Sequence, residues 1–435
     1  MERTFKIVFT AAAALAIAAV GTICLFLIVE GTPAFGKIGL WRFLAGCSWR
    51  PGEGSFGILP MLAGSAAVTA GAVVLGVPVG ILTAVFLAAF SPRNIERAVR
   101  PAVTLMAGIP SVVYGFFGMM TIVPIVRSLF GGRGMCTLSA SVLLAMMILP
   151  TIIVVAESAL RAVPRPIYEG ALVWGAAALT VAMLLAMIAN LLVKGLPNLK
   201  PSLFAWTYTS ANASLLPAAV NTLTMTVIAL AVALPAGVGA AVYLVEYAQR
   251  GNRFVGLVRI AAETLAGIPS IVYGLFGAIF FVRRLGCGKS ILAGALTLAV
   301  MILPLVLRTA EEALKAVPDL YREGSFGLGA GRVRTVFAVI LPAAAPGLFA
   351  GVLLSIGRII GESAALVFTS GTVAQVAQSL FDSGRTLSVH LYAISGEGLY
   401  VGETYATSVV LLVFVIALNA FAHLVERKFL RRSAN

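Results

Sequence analysis

Arg358 and Glu362 stand four residues apart in the string GRIIGES, inside an otherwise apolar stretch of this 435-residue chain. A spacing of four puts two side chains on one face of a helix. A charge at bilayer depth is costly and faces protein or a wet cavity. Two readings fit the pair: a buried ion pair that fixes helix packing, and a site on the path of a substrate. The second has a definite chemistry. A guanidinium presents a planar fork of donors that matches an oxyanion. A carboxylate accepts a hydrogen bond from a phosphate hydroxyl but repels sulfate, which carries no proton at neutral pH.

Other polar groups carry less. GCGKS at 286–290 ends like a phosphate-binding loop, but Arg283 stands where the first glycine is required, so no ATP site is expected. His390 and His423 are isolated, and Cys24, Cys47, Cys136 and Cys287 lack metal-type spacing. Cys136 and Cys287 fall in matching loops and read as plain small residues. No metal and no cofactor is expected. Glu263 reads either as a wet polar group or as a snorkelling one near a membrane face.

The elements that must position these groups are membrane helices. The chain is 60% apolar and 11% charged, against about 25% charged in soluble domains. Its net charge of +14 is scattered between apolar runs, which argues against nucleic acid and for topology signals. About ten spans of the required ~20 residues are expected, near 7–29, 60–90, 103–129, 138–158, 176–193, 215–245, 259–282, 291–309, 346–369 and 404–425. The run at 7–29 is too long for a signal-peptide core and reads as an uncleaved first helix. With the amino end inside, most of the 31 basic residues fall in or beside cytoplasmic segments. Trp41, Trp49 and Trp206 fall in outer loops, as interface anchors do. The longest stretches between spans, 30–58, 194–214 and 370–402, are too short for a soluble catalytic domain. An enzyme is therefore not expected, and chemistry in water falls to a partner.

The chain repeats itself. AGIPSVVYGFFG at 107–118 returns as AGIPSIVYGLFG at 266–277. MILP recurs at 147–150 and 301–304, AESALRAVP (156–164) matches AEEALKAVP (310–318), and YEGALVWGA (168–176) matches REGSFGLGA (322–330). The two AGIPS strings fall in the third and seventh expected spans, an even separation, so the copies share one orientation. Pro110 and Pro269 are expected to kink their helices. Ser111, Tyr114, Ser270 and Tyr273 supply hydroxyls beside the kinks, which either pack helices or line a pore.

The second copy of the inner loop reads Glu323-Gly324-Ser325, three residues, Gly329, nine residues, Val339, one residue, Leu341-Pro342. This resembles the EAA loop of the membrane subunits of binding-protein-dependent ABC importers. A short amphipathic helix there seats in a cleft on an ATPase subunit, and the glycine permits a sharp break after it. More widely, the chain resembles the permeases of phosphate-specific ABC transporters. Residues 1–176 are similar to the first four spans of the PstC type, and residues 177–435 to a nearly complete PstA type. The first copy has Glu169, Gly170 and Gly175, but after Gly175 it runs straight into apolar sequence. Its coupling motif is cut and two further helices are missing, as in a fusion with an internal deletion.

The resemblance implies an all-α polytopic membrane protein with the type I ABC-importer permease (MetI-like) fold and a parallel internal repeat. It implies a multi-pass location in the bacterial inner membrane. It implies a cytoplasmic ATPase dimer as partner, a periplasmic or lipid-anchored phosphate-binding protein, and inorganic phosphate as substrate. Coupling is assigned to Glu323, Gly324 and Gly329 with Glu169, Gly170 and Gly175. The pathway is assigned to Arg358, Glu362, Ser111, Tyr114, Ser270 and Tyr273, shaped by Pro110 and Pro269. The polar segment 370–402 is a weaker candidate for contact with the binding protein. A permease for sulfate or molybdate, and a non-transporting assembly subunit, stay open, as does pairing with a second permease chain.

Overall fold

The computed structural model describes residues 2–161, 171–248 and 253–433. It is helical almost throughout, with one two-stranded hairpin in which Trp49 pairs with Phe56 and Arg50 with Ser55. Among the described residues, eight helices are long and apolar enough to cross a membrane, from Ile7–Ile38 to Arg332–Gly361. In bilayer hydrocarbon a helix satisfies its own backbone, which is why these apolar runs take this form. The last expected span is the start of a long helix, Val401–Ser433.

Two expected spans are differently built. The third is two helices, Arg93–Gly108 and a run from Ser111 to Phe130. The seventh is also two, Val255–Ala266 and Ser270–Arg284, bent by 102°. Pro110 and Pro269 therefore do not kink a continuous helix. Each stands just before the second helix in extended backbone, with φ −58°, ψ 141° and φ −60°, ψ 144°. A proline disfavours helical geometry in the residue before it, and Ile109 is extended at φ −69°, ψ 127°. The chain stops one helix and starts another at the same place in both copies.

The expected span 346–369 is broken too. Its helix, Leu341–Gly361, ends before Glu362, and a short helix, Ala364–Thr369, follows. The one-face geometry expected of Arg358 and Glu362 is thereby lost.

By packing, the chain falls into two compact units, one of residues 1–29, 200–397 and 413–435, the other of 30–199 and 398–412. Within each unit the helix opened by Leu-Pro lies on the helix that carries MILP. In the larger unit, a Cβ on Gly237 would come within 2.6 Å of Val306 Cγ1; in the smaller, one on Gly80 would meet Ile152 Cγ2 at 2.6 Å. Only glycine permits that approach. The core of the larger unit includes Met225, Tyr273, Phe276, Leu298, Ile302 and Leu366, and that of the smaller Phe86, Val103, Leu149 and Ile153.

Candidate functional site

Glu362 follows the Leu341–Gly361 helix with φ −79°, ψ 128°. Its side chain turns forward, and Oε1 accepts a hydrogen bond from the Ala365 amide at 3.0 Å. It thus caps the Ala364–Thr369 helix, satisfying one of the amides that every helix start leaves open. Glu362 is buried, at 9% exposure, whereas Arg358 is exposed. Among the described residues no ion pair joins the two. The ion pair expected between them is thus not formed, and the charge of Arg358 is felt at Tyr273.

The tyrosines of the AGIPS strings are spoken for. Tyr273 Oη donates to the Leu265 carbonyl at 2.7 Å, and Tyr114 Oη donates to the Met106 carbonyl at 3.0 Å. Each reaches eight residues back across the break and binds a carbonyl near the end of the preceding helix. The break frees carbonyls that must be paired where water is absent. Ser111 is exposed and Ser270 half-buried, so those hydroxyls remain available. Tyr273→Phe removes one of two hydrogen bonds to the Leu265 carbonyl, which keeps the Ile268 amide at 3.0 Å, a loss of about 0.5–1.5 kcal/mol. A lower unfolding midpoint in detergent, with phosphate uptake retained, is the expected result.

The segment with the EAA-like spacing forms a short helix with a break at the glycine. A helix runs Asp319–Gly327 after Pro318. Gly329 then adopts φ +81°, a left-handed conformation that glycine alone takes without strain. The amides of Leu328, Gly329 and Ala330 close the end on the carbonyls of Gly324, Phe326 and Ser325. Glu323, Gly324 and Gly329 are exposed, beside an apolar face made by Leu320, Tyr321, Phe326 and Leu328, the last 91% exposed. Exposed apolar patches of this kind mark contacts with protein or membrane. In the first copy, Glu169 and Gly170 lie outside the described residues. Gly175 lies within the Ala171–Gly195 helix and ends nothing, because apolar sequence carries the helix on.

Arg322, which sequence reasoning passed over, holds the coupling helix in place. Its Nε and Nη2 donate to Glu246 Oε1 at 3.1 and 2.8 Å, Nη2 also donates to the Leu314 carbonyl at 2.9 Å, and Nη1 donates to the Val317 carbonyl at 2.7 Å. Both side chains are largely buried, at 14% and 8% exposure. The one available signal was the mismatch between the copies, Arg322 standing where the first has Tyr168. A second missed device occurs in both copies. Arg259 pairs with Glu311 at 2.7 Å, and at the matching positions Arg100 pairs with Glu157. Each pair ties the helix before AGIPS to the end of the MILP helix.

The copies differ where the second is covered by Ala364–Ser370. There a Cβ on Gly274 would meet Ala365 Cα at 2.7 Å, one on Gly277 would meet Thr369 Cγ2 at 2.7 Å, and one on Gly294 would meet Ser370 Cβ at 2.8 Å. The first-copy counterpart of Gly274 is Gly115, which faces open space. Gly115, Gly118, Ala140 and Leu143 line a groove of about 540 Å³ in the smaller unit. That groove is the surface which the chain after GRIIGES covers in the second copy.

Residues 233–431 match the family described as "Binding-protein-dependent transport system inner membrane component". The chain is 32% identical over 265 residues to the "Probable ABC transporter permease protein YqgI" of Bacillus subtilis (strain 168), covering 57% of this chain and 90% of that one. It is 35% identical over 204 residues to the "Phosphate transport system permease protein PstA" of Mycobacterium leprae (strain TN), covering 46% of this chain and 66% of that one. Among solved structures, the inward-facing MetNI methionine ABC transporter is similar with a TM-score of 0.39 at 22% identity, covering 48% of this chain and 93% of that chain.

Proposed function

The chain belongs to the family of binding-protein-dependent transport system inner membrane components, and from that membership we propose that it is the permease of an ABC importer for inorganic phosphate. As a member it is a multi-pass protein of the plasma membrane and a permease component rather than an enzyme. A separate cytoplasmic ATPase dimer supplies the hydrolysis, and a periplasmic or lipid-anchored binding protein delivers phosphate. The observation that carries the proposal is the coupling helix Asp319–Gly327, exposed on its apolar face and pinned from behind by Arg322. Motion of an ATPase subunit seated there passes through Leu314 and Glu246 to two membrane helices. Glu323, Gly324 and Gly329 serve coupling. Arg358 takes the phosphate oxygens. Glu362 keeps one oxygen on its cap and offers the other to a phosphate hydroxyl. Ser111 and Ser270 contribute hydroxyls at the breaks, and Pro110 and Pro269 set the breaks themselves.

A second reading has its own support. The open groove beside Gly115 fits a first half, residues 1–176, that lost its last two helices ahead of a PstA-like half, residues 177–435. In that reading the chain works as the PstA half and pairs with an intact PstC-type chain, or serves only in assembly.

The test is the ATPase activity of the partner subunit with this chain in lipid nanodiscs. Phosphate-loaded binding protein is expected to stimulate hydrolysis, and sulfate-loaded protein is not. Equal stimulation by both contradicts the substrate, and stimulation by neither contradicts the coupling.

A further inference from the structure

The larger unit holds a second cation of a different kind from Arg358. Arg385 is 5% exposed, and its Nε and Nη2 are buried without a hydrogen-bond partner. His390, in the helix Leu387–Glu397 that follows, is fully buried, and both of its ring nitrogens also lack one. The Tyr208 ring covers one face of the guanidinium at 4.5 Å and meets the imidazole edge to face at 6.1 Å.

This arrangement is held in place. The Arg385 amide donates to the Val373 carbonyl at 2.9 Å, Asn221 Nδ2 donates to the Gln375 carbonyl at 2.8 Å, and the Leu387 amide donates to Thr222 Oγ1 at 2.8 Å. Ser388 Oγ, between the two groups, donates to the Ile360 carbonyl near the end of the Arg358 helix. The nearby carboxylates are committed elsewhere. Asp382 is exposed and accepts from the Gln378 and Ser379 amides, and Glu362 caps Ala364–Thr369. Burial, and then the Arg385 charge, push His390 down to about 3, with the Ala213 backbone opposing more weakly, so the imidazole is neutral and brings no second charge.

A buried charge without a counter-charge is strongly unfavourable. Buried unpaired polar atoms in a native fold point to an ion or water. The two bare nitrogens, Nε and Nη2, form one edge of the guanidinium fork, the edge that binds two oxygens of one oxyanion side by side. A neutral imidazole adds one N–H donor, or a lone pair toward a protonated oxygen. We propose that Arg385 and His390 form a binding site for a tetrahedral oxyanion, phosphate or sulfate, separate from Arg358 and Glu362. The anion replaces the missing counter-charge and locks the segment that braces the end of the Arg358 helix. The site does not depend on the transport reading.

The experiment is thermal unfolding of the purified chain in detergent, with sodium phosphate, sulfate or chloride added at constant ionic strength. Phosphate, sulfate or both are expected to raise the midpoint saturably in the wild type, and a saturable rise is expected to persist in Arg358→Gln. The rise is lost in Arg385→Gln. His390→Asn, which keeps the charge, weakens the rise and guards against an Arg385 variant that does not fold. A rise with both oxyanions identifies a resident anion, and a rise with phosphate alone identifies a station for the transported species. No rise beyond that of chloride, or a rise unchanged in both Arg385→Gln and His390→Asn, overturns the proposal. Failure of phosphate uptake with the rise intact would count against the transport reading alone.

Discussion

Arg358→Gln is expected to reduce ATP-driven phosphate uptake by about a hundredfold at unchanged expression. The guanidinium is exposed, lies in the last turn of its helix, and has no ion-pair partner among the described residues. Holding a bare charge in a membrane helix costs roughly 2.5–3.5 kcal/mol even on the lower scales. Its place in the last turn suits the helix dipole, and substrate contact is the role proposed for it. Losing a charge-assisted, two-pronged contact is worth about 2–3 kcal/mol, and each 1.4 kcal/mol is about tenfold. Glu362→Gln separates the roles further. The amide oxygen of glutamine still accepts from Ala365, so the Ala364–Thr369 helix keeps its cap and the fold holds. What changes is the charge that repels sulfate, so uptake persists while selectivity for phosphate over sulfate falls. Uptake unchanged in Arg358→Gln, or selectivity unchanged in Glu362→Gln, removes the pair from the pathway.

The second large effect is expected at Arg322. Arg322→Ala withdraws the cation from Glu246, which is 8% exposed, and strands a buried carboxylate at a cost of roughly 3–5 kcal/mol. It also frees the Leu314 and Val317 carbonyls that Arg322 binds. In the proposed coupling, the Asp319–Gly327 helix would then still meet the ATPase through Leu320, Tyr321, Phe326 and Leu328, but would no longer pull on the membrane helices behind it. Hydrolysis is expected to continue while transport falls, so phosphate moved per ATP hydrolysed drops at least about tenfold, as the loss of a few kcal/mol implies. The double variant Glu246→Gln, Arg322→Gln removes both charges and is expected to recover stability but not coupling. An unchanged transport ratio in Arg322→Ala would show that the helix is held by other means.

Much of this was legible in the sequence, and the rest was hidden for identifiable reasons. The break after the Asp319–Gly327 helix could be read because its turn needs glycine at one place, and Gly329 at φ +81° is that place. The membrane helices could be read because apolar length alone decides them. The breaks at Pro110 and Pro269 could not, since hydropathy continues through a proline while the backbone does not. Glu362 was misplaced for a similar reason: a spacing of four means one face only if the helix continues, and it stops at Gly361. Arg322 and Glu246 are 76 residues apart, and neither local pattern announces the other. The Arg259–Glu311 and Arg100–Glu157 pairs were within reach, because the same two positions recur in both copies. His390 was set aside as isolated, and its company with Arg385 and Tyr208 exists only in the folded chain.

The most direct measurement is uptake of radiolabelled phosphate into proteoliposomes that contain this chain, its ATPase and its loaded binding protein, with no other permease. ATP-dependent uptake that Arg358→Gln abolishes is the predicted result. No uptake, whether or not an intact PstC-type chain is added, would contradict the account.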